Sequence, residues 1–396
     1  MHIDERADEI KICAYCPLMC KNVDAFHRHD GTETSAPHIR NMMLQKILQE
    51  KENPKDHPPE THLEEAAEVL YKTTLGGEST AWCGESMDIR ANMIAGRTDV
   101  VEHGYAPPAV EDVRHRSQRE HNAYGEPHNQ RFANIDSTVL NRFQDRTAPS
   151  VGLWIGCTTA YYEPEIFESL AAILDASDVA AGIVEEERCC GLPQYKLGLR
   201  DTALDLMEHN ANAINNRGFE TLVVDCPECY RALNDYYPHF GHDISPEIVH
   251  SSQFIQTLLE EGTLELNSTV SETVSYHDPY ELSRHTAPID RNEYDTSDIH
   301  EPPREVLDSI PGLHREELRH NRNKAFSCGG DIGVRKMHPD VAQKVGQTVL
   351  DEVVTAGADT VAVASPECKR HLSETITEND LNLEVASIPE LVARTL

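Results

Sequence analysis

Five cysteines in the middle of the chain follow a spacing that restricts what the sequence can fold into. Cys157 stands alone, Cys189 and Cys190 are adjacent and followed by glycine, and Cys226 and Cys229 form a Cys-x-x-Cys pair. The two stretches that separate these groups, 158–188 and 191–225, are of similar length. Clustered cysteines in an intracellular chain suggest metal or redox chemistry before disulfides, and the odd total of 11 cysteines fits a pure disulfide framework poorly.

Each cysteine group follows a predicted strand, in a pattern of alternating strands and helices that begins at Ser150. The strands are SVGLWIGC, DVAAGIVEEE and TLVVDC, and amphipathic stretches such as EPEIFESLAAILDAS lie between them. This alternation predicts a mostly parallel sheet covered by helices on both faces. Ligands gather at the carboxyl ends of such strands, where neighbouring helix N-termini stabilise anionic groups such as thiolate clusters.

The same order of elements returns later in the chain. The segment TLVVDCPEC at 221–229 reappears as TVAVASPEC at 360–368, so that Cys226 aligns with Ser365 and Cys229 with Cys368. Tyr280 follows the first strand of the second half as Cys157 follows that of the first, but at a smaller offset, and an insertion near 291–303 accounts for the difference. The second half is therefore predicted to be a copy of the first.

These patterns predict the fold class and the domains. The fold class is α/β, with tandem units of mostly parallel sheet at 150–268 and 272–396. Residues 1–145 form a mainly helical segment, in which NMMLQKILQE and HLEEAAEVLYKTTL have helical spacing and no strand is predicted. The polar stretch at 114–132 is interpreted as a linker or a loosely packed arm.

The arrangement of one Cys, a Cys-Cys-Gly and a Cys-x-x-Cys resembles the CCG domain of iron–sulfur oxidoreductases. Residues 150–396 resemble heterodisulfide reductase subunits and, equally, the iron–sulfur subunits of glycolate oxidase, lactate utilisation and anaerobic glycerol-3-phosphate dehydrogenase. The resemblance implies a [4Fe–4S] cluster on the five cysteines, which in heterodisulfide reductase is an unusual non-cubane one. Thiolates favour iron–sulfur clusters or zinc over hard cations. A zinc site or inert buried thiols are the alternatives, and adjacent cysteines fit one tetrahedral zinc poorly.

A second group of cysteines lies near the N-terminus. CAYCPLMC supplies Cys13, Cys16 and Cys20, a ferredoxin-like run in which Ile10 stands where an opening cysteine would fall. AWCGESMDI resembles the end of a second such motif, of which Cys83 remains. These four thiolates could ligate one [4Fe–4S] cluster, which would bring the clusters to two. Zinc and a vestigial site are the alternatives.

The second α/β unit has lost ligands. Tyr280, Ser327 and Ser365 stand where the resembling family has cysteines. His277, Cys328 and Cys368 could bind one metal ion, but a vestigial site is the preferred interpretation, since two thiolates cannot hold a four-iron cluster without other ligands.

Charge and hydropathy set the environment of the chain. A formal net charge of −33, spread along the whole sequence, disfavours nucleic-acid binding and indicates a halophilic host, because dense acid repels itself unless salt screens it. No run approaches the roughly 20 apolar residues of a membrane span. A cytoplasmic protein is expected, and a peripheral position on the inner face of the membrane is the alternative.

Three functions are compatible with these features. The first is an electron-transfer subunit that links an FAD-containing dehydrogenase, for a 2-hydroxy acid or glycerol 3-phosphate, to a quinone or another carrier. The chain has no Gly-x-Gly-x-x-Gly fingerprint, so no flavin or nicotinamide site is evident in it. The second is a catalytic thiol–disulfide reductase similar to heterodisulfide reductase, and the third is a non-enzymatic metal-binding protein.

Overall fold

The computed structural model describes residues 1–16, 20–52, 60–85, 87–144, 149–284 and 299–396. The N-terminal segment is helical, and its described part contains no strand: α1 (Ala7–Ala14), α2 (Ala25–Asp30), α3 (Pro37–Glu52), α4 (Glu60–Leu70), α5 (Glu78–Ala81), α6 (Ile89–Glu102), α7 (Pro108–Glu120) and α8 (Ser137–Leu140). Short 3₁₀ turns lie at His2–Arg6, Cys20–Asn22, Glu33–Ser35 and His128–Gln130.

The first α/β unit begins directly after this segment. Its elements are β1 (Val151–Trp154), α9 (Cys157–Tyr162), α10 (Pro164–Ala176), β2 (Ala181–Ile183), α11 (Leu192–Lys196), α12 (Arg200–Asn215), β3 (Thr221–Val224), α13 (Pro227–Arg231), α14 (Tyr237–His239), β4 (Glu247–His250) and α15 (Ser251–Glu260). A π-helical turn at Ala232–Tyr236 joins α13 to α14.

The second unit repeats this order. Its elements are β5 (Thr273–His277), α16 (Tyr280–Ser283), α17 (Glu301–Ser309), β6 (His314–Glu316), a 3₁₀ turn (Arg322–Lys324), α18 (Ile332–Met337), α19 (Pro339–Ala356), β7 (Thr360–Val363), α20 (Pro366–Glu378), β8 (Glu384–Ser387) and α21 (Ile388–Ala393). The predicted insertion near 291–303 falls largely outside the described residues.

Both sheets are parallel and have the same topology. The strand orders are β2-β1-β3-β4 and β6-β5-β7-β8, so the first strand of each unit lies in the middle of its sheet. Leu153 pairs with Ile183 on one side and Val223 on the other, which brings the carboxyl ends of three strands to one edge. The predicted α/β class with tandem units is confirmed. Strand β4 of the first sheet and strands β6 and β8 of the second were not predicted from the sequence.

The two units share one apolar core. Buried side chains of the first sheet, such as Trp154 and Leu222, belong to the same cluster as Val274 and Ile388 of the second unit. Helix α10 packs on α21, and α15 packs on α17. The loops at the strand ends of one unit therefore meet the other unit in a fixed geometry.

The stretch at 114–132 is neither a linker nor a loose arm, so that interpretation is wrong. Helix α7 contacts α12 of the first unit and α18 of the second, and in the turns after it Asn122, Ala123 and Arg131 are buried. Its many charged and polar residues suggested exposure, but several of them form hydrogen bonds inside the protein instead.

Among the described residues, no helix is both long enough and apolar enough to cross a lipid bilayer.

Candidate metal centres

A glycine shapes the turn that presents the adjacent cysteines. Gly191 has φ of +87°, a backbone conformation that residues with a side chain rarely adopt. A Cβ there would also lie 2.8 Å from a backbone carbonyl oxygen of α12, so the turn requires glycine for both reasons. The turn is held from outside as well. Asn210 donates to the carbonyl oxygen of Cys189 at 2.9 Å, and the Tyr237 hydroxyl donates to that of Cys190 at 3.1 Å. The directions of both thiols are thus fixed by the fold.

The five thiols of the first unit are brought together at the sheet edge, and all are buried. They form a series of contacting pairs, in the order Cys157, Cys189, Cys190, Cys229 and Cys226. Within the part of the chain that the structure describes, no three of these sulfur atoms lie within 4.8 Å of one another. The ligands of a single zinc, at about 2.3 Å from sulfur, are separated by only about 4 Å. The wider arrangement suits a cluster of several metal atoms better.

The protonation of these thiols matches a site built for metal. Burial raises the pKa of Cys226 to about 12. The pKa of Cys157 is raised mainly by a hydrogen bond with Cys189 and also by burial. Hydrogen bonds with Cys189 and Cys229 lower the pKa of Cys190 instead. The thiols that stay protonated without metal release their protons when the site is loaded. Soft thiolates in a dry site of this width fit an iron–sulfur cluster, which supplies one-electron redox chemistry when bound.

A buried ion pair supports the first cysteine. Glu187 is fully buried and accepts hydrogen bonds from the backbone N–H groups of Ile155 at 2.9 Å and Gly156 at 2.7 Å. It also pairs with Arg131, whose side chain is 2% exposed. The Nη1 of Arg131 in turn approaches Cys157 Sγ at 3.6 Å. This arrangement links the loop after β1 to the stretch at 114–132, and it places the positive charge of Arg131 next to the Cys157 thiol.

A cavity of about 360 Å³ opens over the five thiols, between the two units and α7. Four cations line it: Arg116 of α7, Arg335 and Lys336 of α18, and Arg370 of α20. Burial lowers the pKa of Lys336, and the neighbouring charge of Arg116 lowers it further. Three carboxylates, Glu126, Glu228 and Glu367, line the same cavity, so it presents groups of both signs. The four cations are the groups that could hold an anionic small molecule there.

The second unit contributes a carboxylate to this cavity. Glu367 lies at the start of α20, and its Oε1 accepts a hydrogen bond from Thr158 at 2.8 Å and from the Cys226 thiol at 3.4 Å. The Tyr124 hydroxyl contacts the same threonine oxygen at 2.8 Å. An acidic group from one unit is therefore in direct contact with a metal-ligand candidate of the other.

The N-terminal cysteines also come together, although they are far apart in sequence. Cys13 and Cys20 are buried, Cys16 and Cys83 are partly exposed, and the charges of Cys16, Cys20 and Cys83 act on Cys13. Burial raises the pKa of Cys13 to about 12 and that of Cys20 to about 11. The backbone N–H of Met87 donates to Cys83 Sγ at 3.4 Å. No three of these four sulfur atoms lie within 4.8 Å of one another in the described structure, which again suits a cluster better than one ion.

In the second unit, a serine keeps the structural role of a lost cysteine. Cys226 Sγ accepts from the N–H of Cys229 at 3.5 Å and caps α13, and Ser365 Oγ accepts from the N–H of Cys368 at 3.3 Å and caps α20. A hydroxyl preserves the helix cap, which explains why the fold tolerates the loss of the soft ligand.

A charged network surrounds the position that corresponds to the first cysteine. The Tyr280 hydroxyl accepts from Lys196 at 2.6 Å, and the buried ammonium also pairs with Asp331 at 2.5 Å, with Glu281 at 3.5 Å and with Glu228. The residues present do not fit a four-iron cluster here, because only two thiols remain.

Those two thiols nevertheless have a close partner. One ligand atom each of His277, Cys328 and Cys368 lies within 4.8 Å of the other two, and all three residues are buried.

Several residues of the first site were not found from the sequence. Arg131 and Tyr124 lie in the supposed arm, and Glu367 belongs to the unit that had lost its cysteines. Glu187 stands two residues before the adjacent cysteines in EERCC, and that position beside a motif was the one available signal.

Comparison with known proteins agrees with this architecture. The profile of the CCG cysteine-rich domain matches the chain twice, at residues 151–234 and 276–373. The two matches fall on the two α/β units, so the CCG domain occurs twice in the chain. The similar proteins support an oxidoreductase of the iron–sulfur type.

The similar proteins include redox enzymes of several kinds. One subunit of the dihydromethanophenazine:CoB–CoM heterodisulfide reductase of Methanosarcina barkeri is 26% identical over 342 residues, 85% of this chain and 80% of that protein. The probable iron–sulfur-binding oxidoreductase FadF of Bacillus subtilis is 22% identical over 61% of this chain and 33% of its own length. The EtfAB:quinone oxidoreductase of Syntrophomonas wolfei is 24% identical, over 61% of this chain and 33% of its own length.

Proposed function

We propose that the chain is an iron–sulfur electron-transfer subunit of an oxidoreductase, with two [4Fe–4S] clusters. One cluster would be held by the four N-terminal cysteines and the other by the five cysteines of the first CCG unit. The observation that carries this proposal is the gathering of nine cysteines into two separate groups, in neither of which three described sulfur atoms lie within 4.8 Å of one another. Two redox centres in one chain provide an entry and an exit for electrons.

The surface near the N-terminal group supports the role of an electron port. Ile12, Tyr15 and Trp82 flank the cysteines in sequence and are 47%, 65% and 41% exposed, which is unusual for large apolar side chains. Exposed apolar side chains next to a redox centre suit the docking of a protein partner. The deeper CCG site, with its cationic cavity, suits exchange with a small molecule.

The partner in this proposal is an FAD-containing dehydrogenase subunit for a 2-hydroxy acid or glycerol 3-phosphate, since the chain has no dinucleotide fingerprint of its own. A quinone or another carrier would take the electrons. The name of the relative from Syntrophomonas wolfei supports a quinone. We expect a cytoplasmic protein, either free or held at the inner face of the membrane.

The test uses the full-length protein prepared without oxygen. We expect about eight iron atoms per chain and two reducible species in a redox titration followed by electron paramagnetic resonance. Reoxidation of the dithionite-reduced protein by a water-soluble quinone analogue should require both clusters. Zinc in both sites after anaerobic preparation, or one reducible centre alone, would contradict the proposal.

A second candidate function, reduction of a small disulfide, is favoured by the cavity over the thiols. Reduction of the substrate S–S bond takes two electrons and two protons and gives two thiols. The Glu367 carboxyl, in contact with Cys226, lies where it could pass a proton, and the four cations would hold an anionic substrate.

This candidate is tested with reduced viologen as the electron donor. An anionic disulfide such as 3,3′-dithiodipropionate should be reduced faster than cationic cystamine, and Arg370→Gln should raise KM for the anionic substrate alone. Arg142→Gln, which alters an exposed ion pair with Asp175, is the matched control. Equal rates for the two disulfides, or no thiol release, would exclude this function.

A further inference from the structure

The second CCG unit contains a compact group of three metal-ligating side chains that differs in geometry from both wide cysteine groups. The ligand atoms of His277, Cys328 and Cys368 all lie within 4.8 Å of one another. The three residues are 2%, 3% and 4% exposed, respectively. The wide groups would hold a cluster, whereas this one has the dimensions of a single ion.

Three separate elements position these ligands. His277 is the last residue of β5, Cys328 lies in the turn before α18, and Cys368 lies in the first turn of α20. Gly329, which follows Cys328, has φ of +83° and would place a Cβ 2.6 Å from a backbone carbonyl oxygen, so the turn is built in the same way as the Cys-Cys-Gly turn of the first unit. The backbone N–H of Gly330 donates to Cys328 Sγ at 3.4 Å. Ordered N–H donors of this kind stabilise a thiolate.

The imidazole provides a second, independent observation. His277 Nε2 is buried and has no nitrogen or oxygen partner in the described part of the chain, and the imidazole interacts with the Cys328 thiol. A buried polar atom without a partner is costly, and natural proteins seldom leave one. Trp154 stands at the corresponding place in the first unit, so only the second unit has a metal-ligating side chain at the end of its first strand.

We propose that His277, Cys328 and Cys368 bind one zinc ion, and that the second unit is a mononuclear site rather than a vestige of a cluster site. Two thiolates and an imidazole are ligands that Zn²⁺ prefers, with Zn–S distances of about 2.3 Å and Zn–N distances of about 2.0 Å. The measured separations require only a small closure of the three side chains around the ion. A water molecule or a neighbouring oxygen would complete the tetrahedron.

The site has a consequence for the first unit. Cys368 is the immediate neighbour of Glu367, whose carboxylate contacts Thr158 and Cys226. An ion that fixes Cys368 therefore fixes the wall of the cysteine-lined cavity. The inference does not depend on the proposed electron-transfer role, because a structural zinc would act in the same way beside a catalytic cluster.

The test is a crossed comparison of two serine variants of the full-length, untagged protein, purified without oxygen. Wild type should contain about one zinc per chain in addition to its iron. Cys328→Ser should lose that zinc and keep its iron, whereas Cys190→Ser should lose iron and keep the zinc. Zinc K-edge X-ray absorption of the wild type should show two sulfur ligands at about 2.3 Å and at least one nitrogen at about 2.0 Å. This edge is specific to zinc, so iron clusters do not interfere.

The wild-type spectrum keeps the proposal falsifiable even if a variant fails to fold. A wild-type protein that contains no zinc, and takes none up from one equivalent of zinc chloride, would overturn the assignment. A sulfur-only shell, zinc retained in Cys328→Ser, or a disulfide between Cys328 and Cys368 in non-reducing peptide mapping would overturn it too.

Discussion

Replacement of Arg131 by methionine should destabilise the first CCG unit and alter its metal centre. The side chain is 2% exposed and pairs with Glu187, whose side chain is 0% exposed. Removal of one member of a buried ion pair usually costs about 3–5 kcal/mol, because the other charge is left without compensation. Glu187 would still accept hydrogen bonds from Ile155 and Gly156, so we expect a loss of about 3 kcal/mol, at the lower end of that range.

The stability of Arg131→Met should also depend on pH. Burial raises the pKa of Glu187 in the folded protein, although Arg131 acts in the opposite direction. In Arg131→Met the carboxyl therefore binds a proton more readily in the folded than in the unfolded state, and stability falls as pH rises through the folded pKa. The double variant Arg131→Met/Glu187→Gln should lose that slope and recover part of the stability.

These effects are measured by anaerobic thermal unfolding, followed by circular dichroism and by cluster absorbance. The four proteins compared are the wild type, Arg131→Met, Glu187→Gln and the double variant. Arg142→Met is the control, because its partner Asp175 is 46% exposed and an exposed pair contributes at most about 1 kcal/mol. The single variant should also shift the midpoint potential of the cluster to a lower value, since Arg131 approaches Cys157 Sγ at 3.6 Å. An Arg131→Met protein that melts like wild type at all pH values would refute the reasoning.

Three other features of the chain lead to expected outcomes. Cys83→Ala should remove one cluster's worth of iron and make the helical segment protease-sensitive, because the cluster closes a long loop from Cys20; unchanged iron content would rule out the four-cysteine site. Lowering the salt concentration from 1 M to 0.1 M should lower the melting temperature, since the Debye length grows from about 3 Å to about 10 Å around a chain of net charge −33, and a flat response would remove the halophilic interpretation. Burial lowers the pKa of His250 to about 4, so the free energy of unfolding should fall by about 3 kcal/mol as pH drops from 6.5 to 4. The variant His250→Asn can still cap α15, and its stability in acid unfolding curves should depend less on pH over this range.

The sequence predicted those parts of the fold that local pattern determines. Short apolar strands such as TLVVDC end at the cysteines, and the match between TLVVDCPEC and TVAVASPEC revealed the duplication directly. Strands β4 (EIVH), β6 (HRE) and β8 (EVAS) were missed because each has only three or four residues, few of them apolar, at the edge of a sheet. Segments of this kind gain their strand conformation from the neighbouring strand rather than from their own composition.

The cysteines of the site could be predicted, but their surroundings could not. Spacing at strand ends brings thiols to one edge by topology alone, so the five cysteines of the first unit were identifiable without coordinates. Arg131 and Tyr124 reach the site through tertiary packing of a polar stretch, and nothing in the local composition distinguishes such a stretch from an exposed loop. Glu367 reaches it from the other unit, which requires knowledge of how the two copies face each other.

That mutual arrangement bears on why the second copy can have Tyr280, Ser327 and Ser365 at positions where the first copy has cysteines. The glutamate of SPEC reaches across the interface, since Glu367 contacts Cys226. The glutamate of CPEC, Glu228, pairs within its own unit with Lys196, and it is Lys196 that contacts Tyr280 and Asp331 of the second unit. Lys196 thus places a positive charge among carboxylates at the position where the second unit lacks its first cysteine. The network occupies this place and links Lys196 of the first unit to Tyr280 and Asp331 of the second. The second unit therefore still contributes to the site of the first, because it supplies Glu367, Arg370 and the other wall of the cavity over the five thiols.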